Sequence, residues 1–195
     1  MPPKHNLAIL ITLFILLISC NQTPVPRPRG FFRIDLPQSK PVLFDKGYPY
    51  SFTYQDYGTP FIKDSLREKR YWIDLRYPQF DGTLHLSYKR VNNNLPNLIE
   101  DAHNLVIKHI PKSSGIDEVR YENRQNKVYG IGFYINGTEA ASPYQFFVTD
   151  SSHHFLRGAL YFNALPNNDS LAPVISFLKK DIEALIGSIS WHNID

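Results

Sequence analysis

The sequence predicts an α+β fold in which an antiparallel sheet is covered by two amphipathic helices. Many short segments alternate apolar and polar residues and are rich in aromatic side chains, as strands with one buried face are. Two longer segments instead repeat apolar residues at helical spacing. The order along the chain is strands, helix, strands, helix, and this order is typical of an α+β domain.

The strands predicted before the first helix are Phe31–Leu36, Tyr48–Tyr54, Tyr71–Tyr77 and Thr83–Tyr88. The last two form a predicted hairpin, because Pro78–Gly82 between them has the composition of a turn. In the second strand of that hairpin, Leu84, Leu86 and Tyr88 alternate with polar residues, which predicts one buried and one solvated face. The charged segment Phe61–Arg70 does not distinguish between strand and helix.

A change of period predicts the first helix. Its stripe at helical spacing comprises Leu95, Leu98, Ile99, Ala102, Leu105, Val106 and His109. We expect Asn94 to cap this helix, Pro96 to occupy its first turn and Pro111 to end it.

Four further strands are predicted to form an antiparallel meander: Ile116–Glu122, Lys127–Ile135, Tyr144–Thr149 and His154–Phe162. Among their connections, the Asn136–Gly137 pair is the strongest indication of a tight hairpin. A second helix is predicted from about Leu171 to Ile189, with Asp169 or Ser170 as its cap and Pro173 in its first turn. Its buried stripe comprises Leu171, Val174, Ile175, Leu178, Ile182, Leu185, Ile186 and Ile189.

The N-terminus has the pattern of a bacterial lipoprotein signal peptide. A basic start precedes the apolar segment Leu7–Ile18, which is followed by Ser19 and by Cys20, the only cysteine of the chain. This segment is too short for a transmembrane helix, which needs roughly 20 apolar residues. We therefore expect cleavage before Cys20 and acylation of its thiol, which would attach the protein to a membrane. The alternative is an uncleaved anchor with an incidental cysteine.

This interpretation divides the chain into three segments. Residues 1–19 are the predicted signal peptide, residues 20–30 a proline-rich tether that begins with the acylated Cys20, and residues 31–195 a single α+β domain.

Composition argues against several classes of function. The formal net charge is +3, with basic and acidic residues mixed along the chain, which does not favour nucleic acid as a partner. With Cys20 acylated, no thiol remains for a disulfide or a thiolate metal site. The sequence contains no glycine-rich phosphate loop, no pair of histidines at helical metal-binding spacing and no nucleophile elbow. We expect no cofactor and no enzymatic activity.

The best candidate site is the segment Thr149–Gly158, which concentrates an acid, hydroxyls, two imidazoles and a guanidinium. Its predicted docking residues are Asp150, His153, His154 and Arg157. Neighbouring residues on a strand point to opposite faces, so His153 and His154 do not suit one metal ion. Ser151 at a hairpin turn lacks an evident oxyanion donor. A structural turn is favoured over a polar interaction site, and both are favoured over a catalytic site.

The other polar candidates are interpreted as isolated side chains. His85 and His103 are expected to face solvent on a strand and on a helix. Asp35 and Asp74 lie on separate predicted elements, so we do not pair them with a base.

Six segments carry a family resemblance: Arg27–Pro37, Tyr48–Tyr54, Leu84–Lys89, Lys127–Ile131, Gln145–Ile175 and Trp191–Asn193. Together they resemble the D family of gliding-motility lipoproteins (GldD) of Bacteroidetes over essentially the whole mature chain. The most specific segment is Gln145–Ile175, because a block of that length and mixed character rarely recurs by chance.

The resemblance implies a membrane-anchored, non-enzymatic component of the gliding apparatus, coupled to type IX protein secretion and partnered by other envelope proteins. Asn21 and Gln22 lack both the acidic cluster of surface-exported lipoproteins and an aspartate that retains lipoproteins in the inner membrane. We therefore expect attachment to the outer membrane, facing the periplasm. The alternative is a solute- or glycan-binding lipoprotein in which tyrosines and Trp72 form a stacking platform.

The order of elements also resembles the fold of the photosystem oxygen-evolving subunit P (PsbP), an α/β/α layer. This is a resemblance of topology and implies nothing about function.

Overall fold

The computed structural model describes residues 34–62 and 70–193, which lie in one compact unit, Phe32–Asp195. The strands of this part are β1 (Pro41–Phe44), β2 (Tyr50–Gln55), β3 (Thr59–Ile62), β4 (Ile73–Tyr77), β5 (Gly82–Arg90), β6 (Gly115–Asn123), β7 (Val128–Asn136), β8 (Tyr144–Thr149), β9 (His154–Phe162) and β10 (Ser190–Trp191). The helices are α1 (Leu95–Ile107) and α2 (Asn168–Gly187), with short 3-10 helices at Pro78–Phe80 and Ile110–Lys112. The predicted signal peptide, Cys20 and the tether lie outside the described residues.

Seven strands form one antiparallel sheet in the order β3-β4-β5-β9-β8-β7-β6. The long strands β5 and β9 pair from Gly82 opposite Phe162 to Arg90 opposite His154. β6 is an edge strand that pairs with β7 alone among the described strands. Its exposed charges, which include Glu118 and Arg120, discourage pairing with a foreign strand.

A second sheet of three strands has the order β1-β2-β10. In it, β2 pairs antiparallel with both neighbours, and Ser51 lies opposite Ser190. This pairing joins an early strand to a segment that follows α2.

Helix α2 and the second sheet cover one face of the seven-stranded sheet, which we name the closed face. The apolar stripe of α2 is buried there through Val174, Ile175, Leu178, Ile182, Leu185 and Ile186. These side chains share one core with residues of both sheets, including Phe52, Leu84 and Leu156. The predicted stripe of the second helix is therefore confirmed in its central part.

Helix α1 packs on the opposite face, mainly over β8 and β9. We name this the open face; its side chains include His85, Gln145 and Arg157. Leu98, Ala102 and Val106 of α1 are buried in a smaller core with sheet residues such as Phe133 and Phe147. Leu105, which the predicted stripe placed inside, is 37% exposed. The layers are helix, sheet and helix, so the predicted α+β fold class is confirmed.

Most predicted strands agree with the structure to within two residues at each end. The strand predicted at Phe31–Leu36 is wrong in its described part, because residues 34–36 have no regular structure. The first strand is instead β1, whose identity is fixed by pairing with β2, with Val42 opposite Tyr54. The last two residues of β3 fall in the segment that the sequence left open, and β3 pairs with β4.

The predicted cap residue is confirmed in position for α1 and is wrong for α2. Asn94 stands at the start of α1, but its side-chain oxygen accepts a hydrogen bond from the backbone N–H of Asn92 (2.8 Å) and not from the helix. Helix α2 begins earlier than predicted, and its cap is Asn167, which accepts from the N–H of Ser170 (3.4 Å). Asp169 therefore lies within the first turn.

The tight hairpin predicted at Asn136–Gly137 is also wrong, because residues 137–143 separate β7 from β8. The side-chain nitrogen of Asn168 donates to the carbonyl oxygens of Gly137 (2.8 Å) and Ala140 (2.9 Å). Gly137 has φ +122°, and a Cβ at this position would lie 2.9 Å from the backbone nitrogen of Ser114. Tertiary contacts thus decide this loop.

Candidate functional site

Strand register brings the polar residues of the open face together. Arg157 on β9 lies opposite Ser87 on β5 and opposite Phe147 on β8. Because side chains alternate along a strand, every second residue of these strands points toward α1. The open face therefore presents Arg157 near the centre of the sheet, beside the strands that α1 covers only in part.

Arg157 is half-buried on this face. Its Nη2 donates a hydrogen bond to the side-chain oxygen of Gln145 (2.5 Å), and Gln145 is buried. Burial lowers the pKa of the Arg157 guanidinium. Within residues 34–62 and 70–193, no carboxylate forms an ion pair with it. Arg157 is thus a cation with an amide neighbour and no anionic one.

A cavity of about 130 Å³ lies between Arg157 and helix α1. Its lining residues are Trp72, Ser87, Lys89, Leu98, Asp101, Ala102, Leu105, Phe155 and Arg157. At this cavity Lys89 approaches Asp101, with 3.9 Å between Nζ and Oδ2. The walls are mainly apolar, and two cations and one carboxylate reach them.

Asp150 organises the turn between β8 and β9. Its Oδ1 accepts hydrogen bonds from the backbone N–H groups of Ser152 (3.0 Å), His153 (2.8 Å) and His154 (2.8 Å). Its Oδ2 accepts from the hydroxyl of Ser152 (2.9 Å). Burial raises the pKa of the carboxyl, but the three N–H groups more than offset this and lower it to about 2. Asp150 therefore holds the turn as a carboxylate, with Ser151 at φ +70°.

The two histidines of the turn lie in different environments. His153 is exposed, whereas His154 is buried on the closed face. The His154 ring stacks on Trp191 with 5.1 Å between centroids, and its Nδ1 is 2.9 Å from the hydroxyl of Tyr88. Burial lowers the pKa of His154.

The four predicted docking residues consequently do not form one surface. His154 is buried and faces the closed face, and Arg157 lies on the open face. The oxygens of Asp150 accept hydrogen bonds within the turn, and His153 is exposed there, with its Nδ1 3.0 Å from the hydroxyl of Ser152. The docking role of the exposed members stays a prediction.

His85 is not isolated, which corrects the interpretation from the sequence. Its Nδ1 lies 2.5 Å from Oδ1 of Asp74, and Asp74 is buried. The pair borders a polar cavity of about 400 Å³ that Arg76, Thr83 and Asn163 also line. A histidine oriented by a buried carboxylate can accept a proton, but no hydroxyl or thiol of the described residues bonds its other nitrogen.

A third cavity lies on the other side of α1. It has about 440 Å³ and is lined mainly by apolar groups of Leu95, Ile99, Tyr129, Ile131 and Phe147. Helix α1 thus divides the open face into a polar half over β4 and β5 and an apolar half over β6 and β7.

Two further findings concern metal binding and membrane crossing. Within the described ranges, no three or more histidine, cysteine, aspartate or glutamate side chains are placed to hold a metal ion. No helix in the same part of the chain is long and apolar enough to cross a membrane.

Comparison with known proteins gives a family and a structural neighbour. No curated protein matches the chain significantly. The solution structure of cyanobacterial PsbP (CyanoP) from Synechocystis sp. PCC 6803 is similar with a TM-score of 0.48 and 9% sequence identity, covering 83% of this chain and 98% of that chain. The model of the family described as gliding motility lipoprotein GldD matches residues 21–191. This chain therefore belongs to the GldD family of gliding motility lipoproteins.

Proposed function

We propose that this protein is a non-enzymatic, lipid-anchored subunit of the gliding apparatus that also supports type IX protein secretion. The observation that carries the proposal is the family match over residues 21–191. The match begins directly after Cys20, the expected first residue of the mature chain.

The state of the Asp150 turn supports a non-enzymatic role. The Asp150 carboxylate accepts four hydrogen bonds within its own turn and is held ionised, which leaves it poorly suited to general acid chemistry. In the described part of the chain, the hydroxyl of Ser151 has no basic partner.

The docking surface in this proposal is the open face together with the exposed His153. Its occupant is another envelope protein, and Arg157 supports this assignment because it is a cation that lacks an anion within the described structure. Charge complementarity favours a partner that presents a carboxylate.

The membrane attachment is proposed at Cys20, on the periplasmic side of the outer membrane. Cys20→Ala should leave the domain folded but prevent signal cleavage and acylation. Palmitate labelling and membrane fractionation would test this. A variant that is processed normally and still sediments with outer membrane would contradict the lipid anchor.

A deletion strain of the source organism tests the function. We expect it to lose colony spreading and secretion of type IX cargo, and to regain both with the wild-type gene and with Ser151→Ala. Normal protein level in the Ser151→Ala strain, combined with lost spreading or secretion, would contradict a non-enzymatic role.

A second candidate is a solute- or glycan-binding lipoprotein. It is favoured by the 440 Å³ cavity with Tyr129 at its wall, since small-molecule sites span about 300–1,000 Å³ and use aromatic side chains. Polysaccharide use in the deletion strain separates the two: an isolated defect in growth on polysaccharide, with normal spreading and secretion, would support this candidate.

A further inference from the structure

We propose that the 130 Å³ cavity beneath α1 binds one carboxylate group, presented by an acidic side chain of a partner protein. The proposal extends the docking role proposed above for the open face. It depends on that role only for the claim that the carboxylate belongs to a partner protein. The chemistry of the site rests on Arg157, which lines the cavity and has Gln145 as its neighbour outside that lining.

The first argument is the missing anion. Arg157 is half-buried, and a buried charge in a protein is normally paired. Its single partner in the described chain is the neutral oxygen of Gln145. The positive charge acts on its surroundings, because the pKa of His109 is lowered by burial and also by Arg157. No described residue neutralises this charge by direct contact.

The second argument is the orientation of the Gln145 amide. A guanidinium only donates hydrogen bonds, so the atom that faces Arg157 must be the Gln145 oxygen. The amide nitrogen therefore points elsewhere, and it is buried without an acceptor among the described residues. Buried polar groups are nearly always satisfied. Arg157 and its neighbour Gln145 are thus rich in donors and have no anionic acceptor among the described residues; of the two, only Arg157 lines the cavity and can present donors to a carboxylate there.

The third argument is the shape of the cavity. Trp72, Phe155 and Leu98 form apolar walls that fit the methylene stem of an acidic side chain. The charge of Asp101, which would oppose an anion, is balanced by Lys89 at 3.9 Å. Whole small molecules generally occupy about 300–1,000 Å³, so this cavity suits a single side chain better than a free metabolite.

The test uses the full chain purified in detergent and the indole N–H resonances of its two tryptophans. Trp72 lines the cavity, whereas Trp191 stacks on His154 on the closed face and serves as an internal reference. The probes are a blocked tripeptide with a central glutamate, the same peptide with glutamine, and sodium acetate. We expect the glutamate peptide to shift Trp72 saturably, to bind at least ten-fold more tightly than the glutamine peptide, and to leave Trp191 unchanged.

Two variants make the test specific. Arg157→Ala should weaken binding of the glutamate peptide at least ten-fold. Gln145→Glu places a carboxylate beside Arg157 within the chain, so it should raise the melting temperature and abolish peptide binding. Because Gln145→Glu is expected to fold better than wild type, the test does not depend on the stability of Arg157→Ala. Lys180→Ala, exposed on α2, is the matched control and should bind normally.

Three results would overturn the carboxylate site: equal binding of both peptides, retained binding by Gln145→Glu, or no saturable Trp72 shift up to about 10 mM, where even a millimolar complex would saturate. If acetate binds as tightly as the glutamate peptide, the claim that a partner protein presents the carboxylate would be wrong. These results are independent of colony spreading, so failure of the site and failure of the proposed gliding role are distinguishable.

Discussion

The two faces of the seven-stranded sheet are covered to very different degrees. The closed face is covered by α2 and by a second sheet, and its core contains Leu178, Ile182 and Tyr144, all fully buried. The open face carries one helix over part of its width, and cavities of about 130 Å³ and 440 Å³ lie on either side of that helix. The same sheet thus has a large core on one face and a smaller core under a partly covered surface on the other.

The two faces also differ in how their buried polar groups are hydrogen-bonded. At the closed face the hydroxyls of Tyr121 and Tyr144 bond each other (2.5 Å), and the hydroxyl of Tyr134 donates to Glu183. Burial is the main cause that raises the pKa of Tyr144 and keeps it protonated. At the open face the amide nitrogen of Gln145 is unsatisfied. These buried hydroxyls of the closed face are therefore satisfied by hydrogen bonds, whereas one buried amide of the open face is not.

The largest expected effect is a loss of stability, and it appears when the same leucine-to-aspartate substitution is made on α2 and, separately, on α1. Leu178→Asp buries an unpaired carboxylate at the closed face and should cost several kcal/mol, comparable to the whole stability of a domain of about 5–15 kcal/mol. Leu105→Asp on α1 should cost less than about 1 kcal/mol because Leu105 is 37% exposed. Thermal unfolding followed by circular dichroism measures both. Similar melting temperatures for the two variants would remove the distinction between the faces.

The next effect concerns a glycine at the closed face. A Cβ at Gly132 would lie 2.6 Å from the hydroxyl of Tyr144 and 2.8 Å from Cε2 of Tyr121. Gly132→Val should therefore displace the tyrosine pair and cost about 3 kcal/mol. Gly187→Ala is the control, since no atom lies within 4 Å of a Cβ there, and it should be neutral or slightly stabilising. Denaturant unfolding compares them, and a Gly132→Val variant as stable as the control would contradict the packing.

These two predictions also show what the sequence could supply. Periodicity was sufficient to predict the closed face, because the stripe of α2 and the alternation in β5 follow directly from burial on one side. The pairing of His85 with Asp74 was within reach, because a hairpin that turns at Pro78–Gly82 sets these residues opposite each other. Interpreting them as isolated overlooked the register.

The rest of the site depends on contacts that local sequence does not specify. The cavity beside Arg157 exists because α1 crosses β9 there, and nothing near Arg157 encodes that crossing. β1 was missed because its strand identity comes from pairing with β2. The turn chemistry of Asn136–Gly137 was overridden by the two hydrogen bonds from Asn168. In each case the deciding partner lies far away along the chain.

A smaller effect is expected at the turn that joins β8 to β9 and so serves both faces. Asp150→Asn should cost about 1–2 kcal/mol at neutral pH, because a carboxylate accepts hydrogen bonds more strongly than an amide. The pKa of Asp150 is lowered to about 2 from 3.8, so its contribution is present above about pH 4 and is lost as the pH falls through about 2. Urea unfolding between pH 2 and 7 should show the two proteins converge on acidification. Ser151→Ala is the control and should be nearly silent at every pH.

The smallest expected effect concerns Asp181 on α2 and the pH dependence of stability. Asp181 accepts a hydrogen bond from the hydroxyl of Tyr57, and burial raises the pKa of Asp181 to about 6. The folded state therefore holds this proton more tightly than the unfolded state, and stability falls as the pH rises from about 4 through about 6. Asp181→Asn should remove this decline and gain about 1 kcal/mol at pH 7, with allowance for solvent screening. Tyr57→Phe tests whether burial alone causes it: the decline should persist in that variant.

The pairing of Ser51 with Ser190 determines when the domain can be completed. β2 is part of the second sheet, which covers the closed face. Its second neighbour, β10, comes only after α2, near the end of the described chain. Contacts between such distant segments form late, because the intervening chain must be ordered first. If the chain crosses a membrane with its N-terminus first, it would therefore stay incompletely folded until residue 190 had crossed. A polypeptide that lacks β10 would leave the edge of β2 at Ser51 exposed to pairing with other molecules.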